Sequence, residues 1–297
     1  MGFFYLIFAK LAGLVKVVAV KKCGSAASGA KNSIKINLIR AIGCLAVSVA
    51  VFLFSRSALD KNGTWISLLS GIFNAVFLFL WILTAERVSL CLVELFCMIG
   101  SVVVPLILAP FLYKGEHVLW HQWICTGILV ASTFFFFPKS DKKKRLDWKA
   151  FLLLVGCAVG SAGTVITQKL FITYSNSNIS VFNLMTFLVV SVGFAVVFFA
   201  SFAKEKAHAN HTESTSESFS AKVWMLIGLA TVMLYANQFL STQASKYFSS
   251  GVFYPLLYAI GWPLTFVADI CIFKEKVTWK KLVGLVLTIT ASILISL

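Results

Sequence analysis

Ten residues with polar or aromatic chemistry fall inside otherwise apolar runs of this chain: Lys10, Lys16, Asn74, Trp81, Glu94, Tyr235, Asn237, Gln238, Tyr254 and Tyr258. A charge or amide in hydrocarbon is costly unless it meets a partner, an aqueous cavity or the interface, so each position needs a reason. Lysine beside aromatics suits a carboxylate, while Glu94 with tyrosines suits an amine through charge and cation–π attraction. Together they fit an amino-acid-like zwitterion. Glu94 is the one carboxylate well inside a run, and burial penalises its charged form, which makes it a proton-coupling candidate. A salt bridge that only fixes packing is the competing reading. Lys16 sits about 8 Å in from one end of its run and Glu94 about 9 Å in from the same side of its own, so the two are expected to approach as a coupling or gating pair. Lys10, Asn74, Trp81, Tyr235, Asn237, Gln238, Tyr254 and Tyr258 form the candidate ligand-binding set. Interhelical hydrogen bonding is the plainer role for any single polar member, and core packing for Trp81.

The runs that carry these residues set the class. Hydrophobic residues make up 59% of the 297 positions, charged ones 12%, and mean hydropathy is +0.91, outside the range of soluble globular chains. Runs of about twenty residues match the length a helix needs to cross roughly 30 Å of hydrocarbon and are too long for barrel strands. The sequence predicts an all-α membrane protein with ten spans, at 2–20, 36–55, 65–85, 88–112, 119–138, 149–171, 179–203, 222–243, 247–273 and 278–297. The first run lacks a basic leader and a small-residue cleavage site, so it reads as a helix and not a removable signal.

A net charge of +15 does not point to nucleic acid here, because the basic residues lie between spans, where cytoplasmic loops and anionic lipid attract them. Odd-numbered loops hold 18 lysines and arginines and even-numbered loops 4, which places the odd loops in the cytoplasm. The seven cysteines form no C-x-x-C motif and read as small packing residues. No metal and no cofactor is expected. Trp65, Trp120, Trp123, Trp148, Trp224 and Trp279 lie near run ends, as in headgroup-level belts. The polar stretch 204–222, with His208 and His211, reads as a cytoplasmic linker between the seventh and eighth helices.

The chain also repeats. E-x-V-x-W occurs at Glu116, Val118 and Trp120 and again at Glu275, Val277 and Trp279, an offset of 159. At that offset Ala85 meets Ala244 and Arg87 meets Lys246. N-x4-N-L occurs at Asn32, Asn37 and Leu38 and again at Asn178, Asn183 and Leu184. Two motifs in the same order, in halves divided by the basic loop 139–149, predict a duplication over 1–140 and 146–297. Five spans per half is an odd number, so the halves cross the membrane in opposite senses and form two inverted five-helix repeats.

With Pro105, Gly115, Glu116 and Gly127 in the first half and Pro263, Lys274, Glu275 and Gly284 in the second, the chain resembles the drug/metabolite transporter superfamily in its ten-helix EamA-like branch. The resemblance covers nearly the whole chain. Its usual turn has Gly before Glu, kept at Gly115 and replaced by Lys274, and the later glycines fall eleven and nine residues after their glutamates. It implies a central cavity lined by helices 1, 3, 4, 6, 8 and 9, with helices 5 and 10 peripheral.

Together these readings favour a secondary transporter moving a small polar metabolite across the plasma membrane by alternating access. An intramembrane enzyme would need paired acids, a nucleophile with a histidine, or a metal cluster, and the sequence offers none, so no enzymatic activity is expected. A non-transporting scaffold and a flippase or enzyme acting on lipid-linked substrates are the alternatives. The expected partners are a small-molecule substrate and membrane lipids, with no nucleic acid. The expected setting is a bacterial cell membrane, multi-pass, as a monomer or homodimer.

Overall fold

The computed structural model describes residues 1–26, 30–87, 90–113, 117–136, 147–208, 219–272 and 278–296. Ten α-helices occupy them: α1 (Gly2–Ala26), α2 (Ala30–Ser55), α3 (Lys61–Arg87), α4 (Leu90–Leu112), α5 (Trp120–Thr133), α6 (Trp148–Tyr174), α7 (Ile179–His208), α8 (Ala221–Ala244), α9 (Ser250–Cys271) and α10 (Trp279–Ser296). A 3₁₀ turn, Phe134–Phe136, prolongs α5, and no strand occurs among the described residues.

Each expected apolar run is a helix. The main departures are extensions, with α1 reaching Ala26, α2 starting at Ala30 and α7 reaching His208. Backbone hydrogen bonding does not stop where hydropathy falls, and Lys204, Glu205, Lys206 and Ala207 are good helix formers. The polar linker therefore begins after His208, and 209–218 lie outside the described residues. Several helix starts are capped by their own side chains. The Asp60 carboxylate accepts from the Gly63 N–H at 3.1 Å, Asp147 from Ala150 at 2.9 Å and the Ser220 hydroxyl from Val223 at 3.4 Å, each meeting a backbone donor the helix leaves open.

Six helices carry described segments long and apolar enough to cross a membrane: Gly2–Val20, Asn32–Ser55, Lys61–Trp81, Trp148–Tyr174, Ile179–Ser201 and Ala221–Ala244. Phe96–Leu112, Ser250–Gly261 and Leu282–Ala291 are shorter apolar stretches. α5 has 14 residues, about 21 Å, and its 3₁₀ extension brings it to about 27 Å. The outward surface is apolar, with Phe54 90% and Phe199 67% exposed, as lipid-facing positions of a multi-pass membrane protein are. All six belt tryptophans are exposed, and Trp120, Trp148 and Trp279 are the first residues of their helices.

Packing follows a simple plan. α1 lies along α8 and α3 along α6; α2 and α7 pack on each other, and also on α8 and α3 respectively; α4 packs on α6 and α9, and α1 on α9. α5 and α10 pair with each other and touch the rest through α4 and α9. Small residues let these backbones approach. Gly156, Gly160 and Gly163 lie one turn apart on α6, and a side chain at each would strike Leu80, Phe77 and Phe73 of α3 in turn. Polar contacts pin the seams: Ser101 with Ser161, Ser132 with Thr288 at 2.9 Å, and the Thr186 hydroxyl donating to the Ser67 carbonyl at 3.2 Å. Each such bond between helices contributes about 0.6 kcal/mol. Five of the six described cysteines are buried, in the packing role expected of them.

Candidate functional site

Several buried polar atoms without hydrogen-bond partners, Arg40 Nε, the Asn183 amide, the Tyr235 hydroxyl and Gln238 Nε2, lie along the seam of α2, α7 and α8. A small cavity there is lined by Asn37 and Arg40 of α2, Asn74 of α3, Phe187 and Val190 of α7 and Leu234 of α8. At about 10 Å³ it has room for roughly one water. Arg40 is only 6% exposed, and its position is built up from the backbone. The Asn37 amide donates to the Ser33 carbonyl one turn back at 2.8 Å, which fixes its oxygen to accept from Arg40 Nη1 at 2.9 Å. Arg40 Nε is buried with no hydrogen-bond partner. Only two carboxylate side chains are among the described ones, Asp60 and Asp147, and both cap helices.

One turn along α2 from Arg40, the Cys44 thiol donates to the Thr231 carbonyl at 3.4 Å. Arg40 lies within electrostatic reach of this thiol. Beyond it Tyr235 stands 6.2 Å from the Phe187 ring and stacks on Phe239 at 6.3 Å. Its hydroxyl faces the amide of Asn183, yet neither group closes a standard hydrogen bond, and Gln238 Nε2 one turn on has no partner either. Buried polar atoms are nearly always paired. A column from Arg40 to Asn183 that is not paired reads as a surface reserved for something else.

A second grouping joins α1, α8 and α9. Lys10 Nζ lies 5.1 Å from the Tyr258 ring centroid, within cation–π range, and the missing side chain of Gly261 leaves room beside the lysine stem. One turn along α1, a Cβ at Gly13 would lie 3.2 Å from Asn237 Oδ1, so Asn237 is held against α1. Lys10, Asn237 and Tyr258 thus meet at one junction.

The other candidates separate. Asn74 lines the cavity, and Tyr235 and Gln238 belong to the column beyond it. Tyr254 is fully buried and shares a 2.7 Å hydrogen bond with Tyr113, which also donates to the Ile166 carbonyl at 3.3 Å, so it ties α9 to α4 and α6. Trp81 packs between two apolar clusters, one with Ala150 and Leu154, the other with Val190 and Phe194. Glu94 is carried by α4, but its side chain lies outside the described residues, and with it the pairing of Lys16 and Glu94. The cavity draws on α2 and α7, which the family resemblance leaves out, together with α3 and α8, which it includes.

Two charged residues escape a reading by depth alone. A span starting at 36 puts Arg40 about one turn from the loop, where snorkelling accounts for a charge; α2 extends back to Ala30 through Lys31, Asn32 and Lys35, yet Arg40 is turned inward and only 6% exposed. Lys169 likewise reads as a span end. It is 6% exposed and donates to the carbonyls of Ser245 at 3.1 Å and Phe248 at 2.6 Å, anchoring the turn between α8 and α9.

No family model matches the chain, and a comparison with curated proteins finds no match. Among solved structures, 28 chains match. One, described only as the crystal structure of a protein, superimposes with a TM-score of 0.73 at 12% identity, covering 99% of this chain and 95% of its own. At that identity the likeness is one of fold.

Proposed function

We propose that this chain is a secondary transporter that carries a small polar metabolite across the plasma membrane by alternating access, as a member of the drug/metabolite transporter superfamily in its EamA-like branch. The observation that carries the reading is the set of buried polar atoms without hydrogen-bond partners, Arg40 Nε, the Tyr235 hydroxyl, both amide atoms of Asn183 and Gln238 Nε2, inside an apolar helical bundle. A scaffold has no use for such groups, which cost about 1–3 kcal/mol each when left unsatisfied. A transporter meets that cost with water and substrate in turn.

The helix packing supports ten spans in two inverted repeats. Advancing every helix number by five carries the α1/α8 contact onto α6/α3, α4/α6 onto α9/α1 and α3/α7 onto α8/α2, and returns α2/α7, α4/α9 and α5/α10 to themselves. A pseudo-two-fold axis in the membrane plane requires this, and substrate sites in such folds lie near the midplane between the halves. In this reading the odd loops are cytoplasmic and the chain has no enzymatic activity.

The test is uptake by proteoliposomes containing the full chain, loaded and challenged with labelled amino acids, amines, sugars and organic acids. The expected result is saturable uptake of one class that is lost with Asn74→Leu and Tyr235→Phe combined. No solute-specific flux, with movement of fluorescent lipid instead, favours the flippase alternative and overturns the proposal.

A further inference from the structure

We infer that the cavity of Asn37, Arg40 and Asn74 binds the anionic group of the solute, with a carboxylate as its chemical class and Arg40 as the residue that selects it. The inference deepens the transporter reading and rests on it. A guanidinium cannot shed its proton at any working pH, so Arg40 remains a full positive charge held between helices with 6% of its surface exposed. Such a charge is normally neutralised by a carboxylate of the protein. Here Asp60 and Asp147, the described carboxylates, are engaged at helix starts, and the hydrogen bond that Arg40 makes is to neutral Asn37.

The geometry of that bond matters. Asn37 takes Nη1, the nitrogen on the inner side of the guanidinium. The outer edge, formed by Nε and Nη2, is the one that meets a carboxylate with two parallel N–H donors, and its Nε is buried without a partner. Asn74 lines the same cavity from α3 and brings an amide that can donate to a carboxylate oxygen or accept from a neighbouring hydroxyl. Phe187, Val190 and Leu234 close the apolar side, and a cavity with room for about one water admits a carboxylate only as the surrounding helices part, which alternating access requires of them. Asn37 acts as a positioning residue, holding the fork through its own bond to the Ser33 carbonyl.

The experiment uses the purified full chain in detergent at matched ionic strength, with propionate and succinate as anionic probes, succinamide as the neutral match and 1,4-diaminobutane as the cationic one. At about a hundredfold excess over Kd, a carboxylate is expected to raise the unfolding midpoint by roughly 5 °C. Neither succinamide nor the diamine moves it, and Arg40→Gln abolishes the shift while Arg40→Lys keeps only part of it. Should Arg40→Gln fail to fold, phenylglyoxal modification of wild-type Arg40, followed by peptide mass spectrometry, gives a second readout: succinate slows it severalfold and succinamide leaves it unchanged. Equal protection by the amide or the diamine, or a carboxylate shift that survives Arg40→Gln, overturns the inference. Carboxylate protection through Arg40 without carboxylate flux in proteoliposomes leaves the anion site standing and removes the transporter reading. Flux of a neutral or cationic solute without carboxylate protection removes the anion site and leaves the transporter.

Discussion

Replacing Gly100 by alanine tests the closest helix approach in the bundle. A Cβ at Gly100 would fall on the carbonyl oxygen of Ala158 and lie 2.7 Å from both its carbonyl carbon and its Cα. Carbon atoms in ordinary contact sit about 3.5–4.0 Å apart, so α4 must withdraw from α6 by about 1 Å. The obstacle is backbone, and no rotamer change can relieve it. Overpacking of this kind costs about 1–3 kcal/mol, and the neighbouring Ser101 to Ser161 bond forfeits about 0.6 kcal/mol more. Against this, alanine gains about 1 kcal/mol over glycine within a helix. The net expectation is a loss of about 1–2 kcal/mol. Gly127 on α5 is the control, because a Cβ there meets nothing within 4 Å and the same substitution should stabilise by about 1 kcal/mol. Thermal unfolding of the two purified variants should therefore separate them by roughly 5 °C, at about 2 °C per kcal/mol for a chain of this size. If both variants move upward together, α4 and α6 are not in backbone contact at Gly100, and the argument that small residues set this seam fails.

Three further outcomes are expected. Gly43→Ala brings a Cβ to 2.7 Å from the Thr231 methyl, a side-chain obstacle, so it should cost about 1 kcal/mol and be rescued by Thr231→Ser; strictly additive effects in the double mutant would show that α2 and α8 do not meet there. Lys169→Met leaves the Ser245 and Phe248 carbonyls without that donor, and should lower stability by about 2–4 kcal/mol and speed amide exchange across 245–249; unchanged exchange would remove Lys169 as the anchor of that turn. A reporter fused after Lys144 should read cytoplasmic and one fused at Leu297 should read external, as the loop charges require; a cytoplasmic C-terminus overturns the orientation.

Helix number and extent were readable because they depend on local properties. Hydropathy and run length place all ten helices, and the errors fall where helix geometry outlasts the apolar run, at Ala26, Ala30 and His208. Trp120 and Trp279 of the repeated E-x-V-x-W motif begin α5 and α10 and stand 74% and 78% exposed. The site was less legible, because it depends on which helices meet. Ranking polar residues by depth selects Asn74, Tyr235 and Gln238, which the fold brings to one seam, but also Tyr254, which is bound to Tyr113. The same ranking passes over Arg40.

The N-x4-N-L motif had more to say than its use as a mark of duplication suggests. Its second asparagines, Asn37 and Asn183, sit in the first few turns of α2 and α7, two helices that pack on each other. Asn37 holds Arg40 beside the cavity, and Asn183, fully buried, faces Tyr235 with both amide atoms unpaired. The two occurrences differ three residues on: Arg40 follows Asn37, whereas Thr186 follows Asn183 and donates to the Ser67 carbonyl.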